Sequence, residues 1–164
     1  MVNVTSCGTH GQDIEAALRS AERLCLRRGS RLTTLRRRVL EIILHSERPR
    51  GAYAILDELR AEGRSGAPPT VYRALDFLLE QRLIHRLASL NVFIGCPHPE
   101  RNHNGQFLIC QHCGRVDELA SFAVEQAIRD SASEHQFTVA SQMVEILGCC
   151  ADCQSRELRS DDGH

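Results

Sequence analysis

Two Cys-x-x-Cys pairs constrain this chain more than any other feature. "FLICQHCGRVDEL" carries Cys110 and Cys113, and "GCCADC" carries Cys150 and Cys153, with 36 residues between the pairs. Two such knuckles supply four thiolates that converge on a tetrahedron, which is what a closed structural zinc site requires. A thioredoxin-like redox pair is the alternative, but it wants one Cys-x-x-Cys opening a helix. Here Gly114 and a strand pattern follow the first pair. The spacing favours zinc. Cys149 is a register alternative to Cys150, yet only Cys150 has two residues between it and Cys153.

The compartment matters to that reading. "MVNVTSCGTHGQDIE" has neither a basic n-region nor an apolar h-region, so no signal peptide is expected. No apolar run approaches the roughly 20 residues that span a bilayer. The expected location is therefore the reducing cytoplasm, with no membrane partner. There, eight cysteines speak for metal or redox chemistry rather than cross-links.

The net charge of −1 conceals two opposite halves. Residues 1–90 hold fifteen Arg against ten acids, a balance of +5, and residues 91–164 hold five against eleven, a balance of −6. Segment 27–50 concentrates eight Arg with two Glu. A solvated helix face and an anionic partner both fit such a segment.

The periodicity predicts an α+β fold in two parts. Ile14, Ala17, Leu18, Ala21 and Cys25 recur at helical steps before Gly29. A second helix follows Thr33 or Thr34 as N-cap, with Leu35, Val39, Ile42 and Ile43 on one face. "GAYAILDELRAEG" is a third, closed by Gly63. "SGAPPTVYRALDFLLEQR" opens a fourth, with Pro69 in the first turn. The period then switches. "LIHRLASLNVFIGC" reads as two strands turning at Ser89–Asn91, and "QFLICQ" and "RVDEL" as two more. A helix over "SFAVEQAIRDSASEH" and a strand over "FTVASQMVEILGCC" complete the pattern. The predicted organisation is a loose N-terminus (1–11), a winged helix-turn-helix domain (12–89) and a hinge (90–97). A small α/β dimerisation domain (98–154) and a loose tail (155–164) follow.

Helices followed by a β-hairpin are the order of a winged helix, whose last helix before the wing enters the DNA major groove. On "PPTVYRALDFLLEQR", Val71, Leu75, Leu78 and Leu79 form the inward stripe and Thr70, Tyr72, Arg73 and Asp76 face outward. Arg73 suits guanine O6 and N7, and Thr70 and Tyr72 suit phosphates. Arg36 and Arg37 are candidates for further DNA contacts. The competing reading pairs Arg73 with Asp76 on a plain surface and sets Tyr72 at the core rim.

Taken together, "PPTVYRALDFLLEQRLIHRL", "FLICQHCGRVDEL" and "GCCADC" resemble the ferric uptake regulator family, most of all its zinc-sensing branch, over roughly residues 15–153. The resemblance implies a homodimeric, metal-activated repressor of AT-rich palindromic operators, with two Zn²⁺ per subunit. It implies a structural zinc on Cys110, Cys113, Cys150 and Cys153, and a regulatory zinc on His85, Cys96, His103 and Glu118. Base contacts from Tyr53 and Arg73 are implied as well. The "HHHD"-like stretch of iron-sensing relatives is replaced here by "ERNHNGQF", and "ASQMVEILG" lacks their late histidines, so a third metal site and iron sensing are not expected. A set of two His, one Cys and one Glu includes a thiolate, which favours Zn²⁺ over Fe²⁺ or Mn²⁺. His98 and His112 are read as solvent-facing.

An enzyme is the reading from another class. A zinc nucleobase deaminase needs His-x-Glu followed by Pro-Cys-x-x-Cys, a combination absent here. Fully ligated sites also leave no open position for a small-molecule substrate. A purely structural zinc ribbon explains the four thiols and leaves the basic helical half without purpose. An iron or peroxide sensor is the runner-up within the repressor class.

Overall fold

A backbone pairing, not a side-chain pattern, opens the computed structural model. It describes residues 3–6 (backbone only), 13–63, 67–100 and 105–161, with side chains as far as residue 156. Asn3–Ser6 is a strand, β1, where the sequence predicts a loose terminus. It lies antiparallel to β5 (Val116–Ala120), with Thr5 opposite Glu118. An edge strand needs only free N–H and C=O groups beside it, so a short stretch with three polar residues and one valine gives no warning of it.

Four helices and a hairpin follow, in a compact unit spanning Cys7–Asn102. The helices are α1 (Ile14–Arg27), α2 (Thr34–His45), α3 (Ala52–Ala61) and α4 (Pro68–Glu80). The predicted apolar steps are the buried ones: Leu18, Ala21 and Cys25 on α1, Val39, Ile42 and Ile43 on α2, and Val71, Leu75 and Leu78 on α4 join one core. Each large aliphatic side chain fully buried there contributes roughly 1.5–3 kcal/mol. Gly63 follows α3 with φ +72°, the left-handed stop that an L side chain resists. Thr33 is the N-cap of α2 by backbone, but its hydroxyl makes no capping bond.

The hairpin pairs β2 (Ile84–Leu87) with β3 (Val92–Gly95). Arg50 and Phe93 exchange backbone bonds of 2.9 and 2.8 Å, adding a one-residue third rung. Val92–Gly95, inside the hinge expected over 90–97, is the second of the two strands expected over 83–96, and the compact unit runs on to Asn102.

The second unit joins the first residues to His103–His164. Its sheet runs β1-β5-β4-β6, with β4 (Gly105–Cys110) antiparallel to β5 and parallel to β6 (Met143–Gly148). The parallel step needs a crossover, supplied by α5 (Phe122–Glu134). Residues 137–142, predicted to lengthen β6, are irregular. The predicted loose tail is instead α6 (Ala151–Asp161), which begins inside the second Cys pair. Among described residues, the buried apolar side chains here are few: Phe107, Ile109, Val116 and the thiols Cys110 and Cys153. No residue of α5 is buried. No helix among the described residues is long and apolar enough to cross a membrane.

Candidate metal centre and nucleic-acid interface

The parallel pairing of β4 with β6 assembles the thiols. Cys110, the last residue of β4, is in register with Gly148, the last of β6, so both chains leave the sheet at the same end. Beyond Cys110 the backbone turns tightly, with Gly114 N–H donating to Cys110 C=O at 2.9 Å. Gly114 holds φ +72° to make that turn. Beyond Gly148, Cys153 N–H donates to Cys150 C=O at 3.0 Å in the first turn of α6.

The sulfurs of Cys110, Cys113, Cys150 and Cys153 consequently lie within 4.8 Å of one another. Cys113 Sγ and Cys150 Sγ, one from each knuckle, are 3.7 Å apart. A tetrahedron with zinc–sulfur bonds of about 2.3 Å has sulfur edges of about 3.8 Å, so the donor set fits a four-coordinate thiophilic cation. Cys149 stays out of the cluster, its thiol turned to Cys150 C=O at 3.7 Å, which settles the register.

Electrostatics at the cluster points the same way. The backbone N–H of Cys113, helped by that of Cys150, holds the Cys110 thiol down to about 5. Cys153 is pushed up, first by its hydrogen bond with Cys150 and then by burial. Cys110 is favoured as thiolate and Cys153 disfavoured, because like charges this close oppose one another and a cation relieves that repulsion.

His85 and Cys96 belong to the wing. Cys96 N–H donates to Leu83 C=O at 3.0 Å, extending the ladder by one rung. His85 opposes Ile94, so His85 and Cys96 share a face as diagonal neighbours, and both are buried. Glu118 is buried in mid-sheet on β5, between Phe107 of β4 and Thr5 of β1. A buried carboxylate is costly unless its charge is compensated, so the position is chemically marked. His103 lies outside the described residues.

Helix α4 presents Thr70, Tyr72, Arg73 and Asp76 outward, as the periodicity predicts. Arg73 forms no ion pair or hydrogen bond among the described residues, with Asp76 or any other group. By contrast Arg60 meets Asp57 at 3.7 Å one helix away. Tyr53, second residue of α3, is 68% exposed and Tyr72 42%. Uncommitted guanidinium and phenol groups on one unit suit base edges and phosphates.

A family model, the ferric uptake regulator family, matches residues 27–147. The chain belongs to the ferric uptake regulator family. It is 37% identical to the zinc uptake regulation protein of Escherichia coli (strain K12) over 137 residues, 83% of this chain and 80% of that one. A solved zinc uptake regulator complexed with zinc and DNA is 35% identical, with a TM-score of 0.84 over 90% of this chain and 99% of that one. The crystal structure of holo XcZur is 40% identical, with a TM-score of 0.78 over 85% and 98%.

Within this member of the ferric uptake regulator family, Arg36 and Arg37, expected to contact DNA, also make contacts inside their own unit. Arg36 stacks 3.6 Å over the Phe77 ring and donates to Arg31 C=O at 2.9 Å. Arg37 forms a two-pronged bridge to Glu15 of α1 at 2.7 and 2.8 Å. Both arginines therefore brace α2 against its neighbours. A partner 22 residues away gives no local signal in the sequence.

The sequence also conceals a clasp around the thiols. Arg115 bonds Asp117 at 2.8 Å and reaches Asp152 at 3.4 Å, bridging the first knuckle's strand to the helix that holds Cys153. Its guanidinium is held still more firmly protonated, chiefly by the bond to Asp117. Such outer bonds orient metal ligands. Their one sequence signal is that all three charges fall beside or inside the Cys-x-x-Cys pairs. His98 and His112 are exposed.

Proposed function

We propose that this chain is a zinc-responsive transcriptional repressor that binds AT-rich palindromic operators as a zinc-loaded homodimer, in the cytoplasm, without enzymatic activity. The observation that carries this reading is its likeness, over nearly the whole chain, to the relative solved with zinc and DNA. Two zinc ions per subunit are proposed. Cys110, Cys113, Cys150 and Cys153 hold the structural ion, and the sulfur cluster supports that set. His85, Cys96, His103 and Glu118 hold the regulatory ion, supported by the shared wing face of His85 and Cys96 and the buried carboxylate of Glu118.

Zinc supplies ligation without redox chemistry, and the protein supplies the switch. Ligation orders the segment that leaves the wing at Cys96. In a two-fold dimer, operator binding requires the spacing of the two α4 helices to match groove repeats about 34–36 Å apart. Without ligation the competent spacing is a minor state, so zinc activates by population shift. Arg73 and Tyr53 read bases and Thr70 and Tyr72 seat phosphates. The homodimer is supported by exposed Phe122, Phe137, Met143, Ile146 and Leu147 in a unit with a small core of its own.

Metal analysis and gel shift on the purified chain test the reading together. About two zinc ions per subunit and a zinc-dependent shift of an AT-rich palindromic probe are expected. Metal-independent binding, or a response to iron or peroxide instead of zinc, contradicts it.

A further inference from the structure

The stretch after the wing has an anchoring problem of its own. It reads Cys96-Pro97-His98-Pro99, and two of those four residues lack an N–H. Such a segment is fastened chiefly through its carbonyls, which requires donors from elsewhere. One donor is Arg28, the C-cap residue of α1. Its Nη2 donates to Pro99 C=O at 2.9 Å, and its Nη1 donates to Gln81 C=O at 2.5 Å. Gln81 is the C-cap of α4, where the last carbonyls of a helix lack intrahelical donors and carry the negative end of its dipole. A cation is well placed there. No carboxylate among the described residues pairs with Arg28, so the guanidinium serves the two carbonyls.

We propose that Arg28 is a positioning residue for the zinc switch, clamping the segment that carries Cys96 onto the C-terminal end of the DNA-reading helix α4. The inference rests on the repressor reading above. A guanidinium is planar, and its N–H groups point in fixed directions, so two carbonyls held by one guanidinium are held relative to each other. With the clamp closed, ligation at Cys96 is felt by α4 as one body. With it open, the proline segment takes up the displacement, and zinc binds without setting the reading helix. Lysine keeps the charge but is a point donor on a flexible stem, and it cannot fix both carbonyls in one plane.

The test compares Arg28→Lys and Arg28→Ala with the wild-type chain. The measured quantity is the ratio of operator affinity with zinc to that without, alongside zinc content, thermal melting and affinity for random DNA. Arg28→Lys is expected to melt with the wild type, keep both zinc ions and bind random DNA equally. Its ratio should fall roughly five- to tenfold, the scale of one ordinary net hydrogen bond. Arg28→Ala should fall at least as far. An arginine with only a structural role would weaken melting and affinity with and without zinc alike, leaving the ratio unchanged. Ratios within about twofold of the wild type in both variants, or a loss that appears only with lost melting, overturn the clamp. A wild-type ratio of one overturns the repressor reading itself, and the clamp with it.

Discussion

Cys113 Sγ stands 3.7 Å from Cys150 Sγ across a sequence gap of 37 positions. That approach helps join the β4 knuckle to the head of α6, in a unit with few other buried apolar groups. Small cores of this kind depend on a staple such as a metal site.

Replacing Cys113 or Cys153 with Ser is therefore expected to unfold the second unit. The change leaves three thiolates close together with an incomplete tetrahedron, and structural zinc contributes folding free energy outright. Sedimentation should show loss of the dimer, and metal analysis loss of the cluster's zinc. A stable dimer with full zinc content after either change contradicts the assignment.

The reader role of Arg73 is separable from general attraction to DNA. Arg73→Ala should weaken operator binding by ~1–3 kcal/mol, the worth of a bidentate base contact, and leave random DNA almost unaffected. Arg37→Ala should behave differently, because Arg37 is committed to Glu15. It should cost ~0–1 kcal/mol of stability in thermal melts and change operator and random affinities little. Equal losses on both DNAs for Arg73→Ala would show a phosphate contact instead.

The open apolar surface on β6 makes a third expectation. Leu147 is 45% exposed on a strand at the sheet edge. Leu147→Asp would place an unpaired charge in a buried dimer contact and should give monomers in sedimentation at micromolar concentration. The cluster's zinc should remain. A dimer unaffected by the aspartate would place the interface elsewhere.

The elements legible in the sequence were those whose signals are local. Leu18, Ala21 and Cys25, or Val71, Leu75 and Leu78, declare a helix face by spacing alone, and two Cys-x-x-Cys pairs declare their chemistry the same way. What stayed hidden depends on partners far along the chain. β1 is a strand only because β5 offers a free edge. The one-residue rung that Arg50 adds to the wing at Phe93 has no signal in the sequence. α6 has little apolar pattern and follows from the docking of Cys150 and Cys153. The pairing of Arg37 with Glu15 and the bridge from Arg115 to Asp152 join residues 22 and 37 positions apart, and no local pattern announces either.

The central claim is that zinc on His85, Cys96, His103 and Glu118 controls operator binding while the thiol cluster only holds the fold. The direct measurement is a zinc titration of operator binding by Cys96→Ser beside the wild type, with zinc per subunit counted in both. The variant is expected to be folded and dimeric, to retain about one zinc per subunit, and to bind the operator no better with zinc than without. Reciprocal linkage also predicts that operator DNA tightens the second zinc in the wild type and has no such effect in the variant. A Cys96→Ser protein that still shifts operator DNA in response to zinc would place the sensor elsewhere and rule out this ligand set.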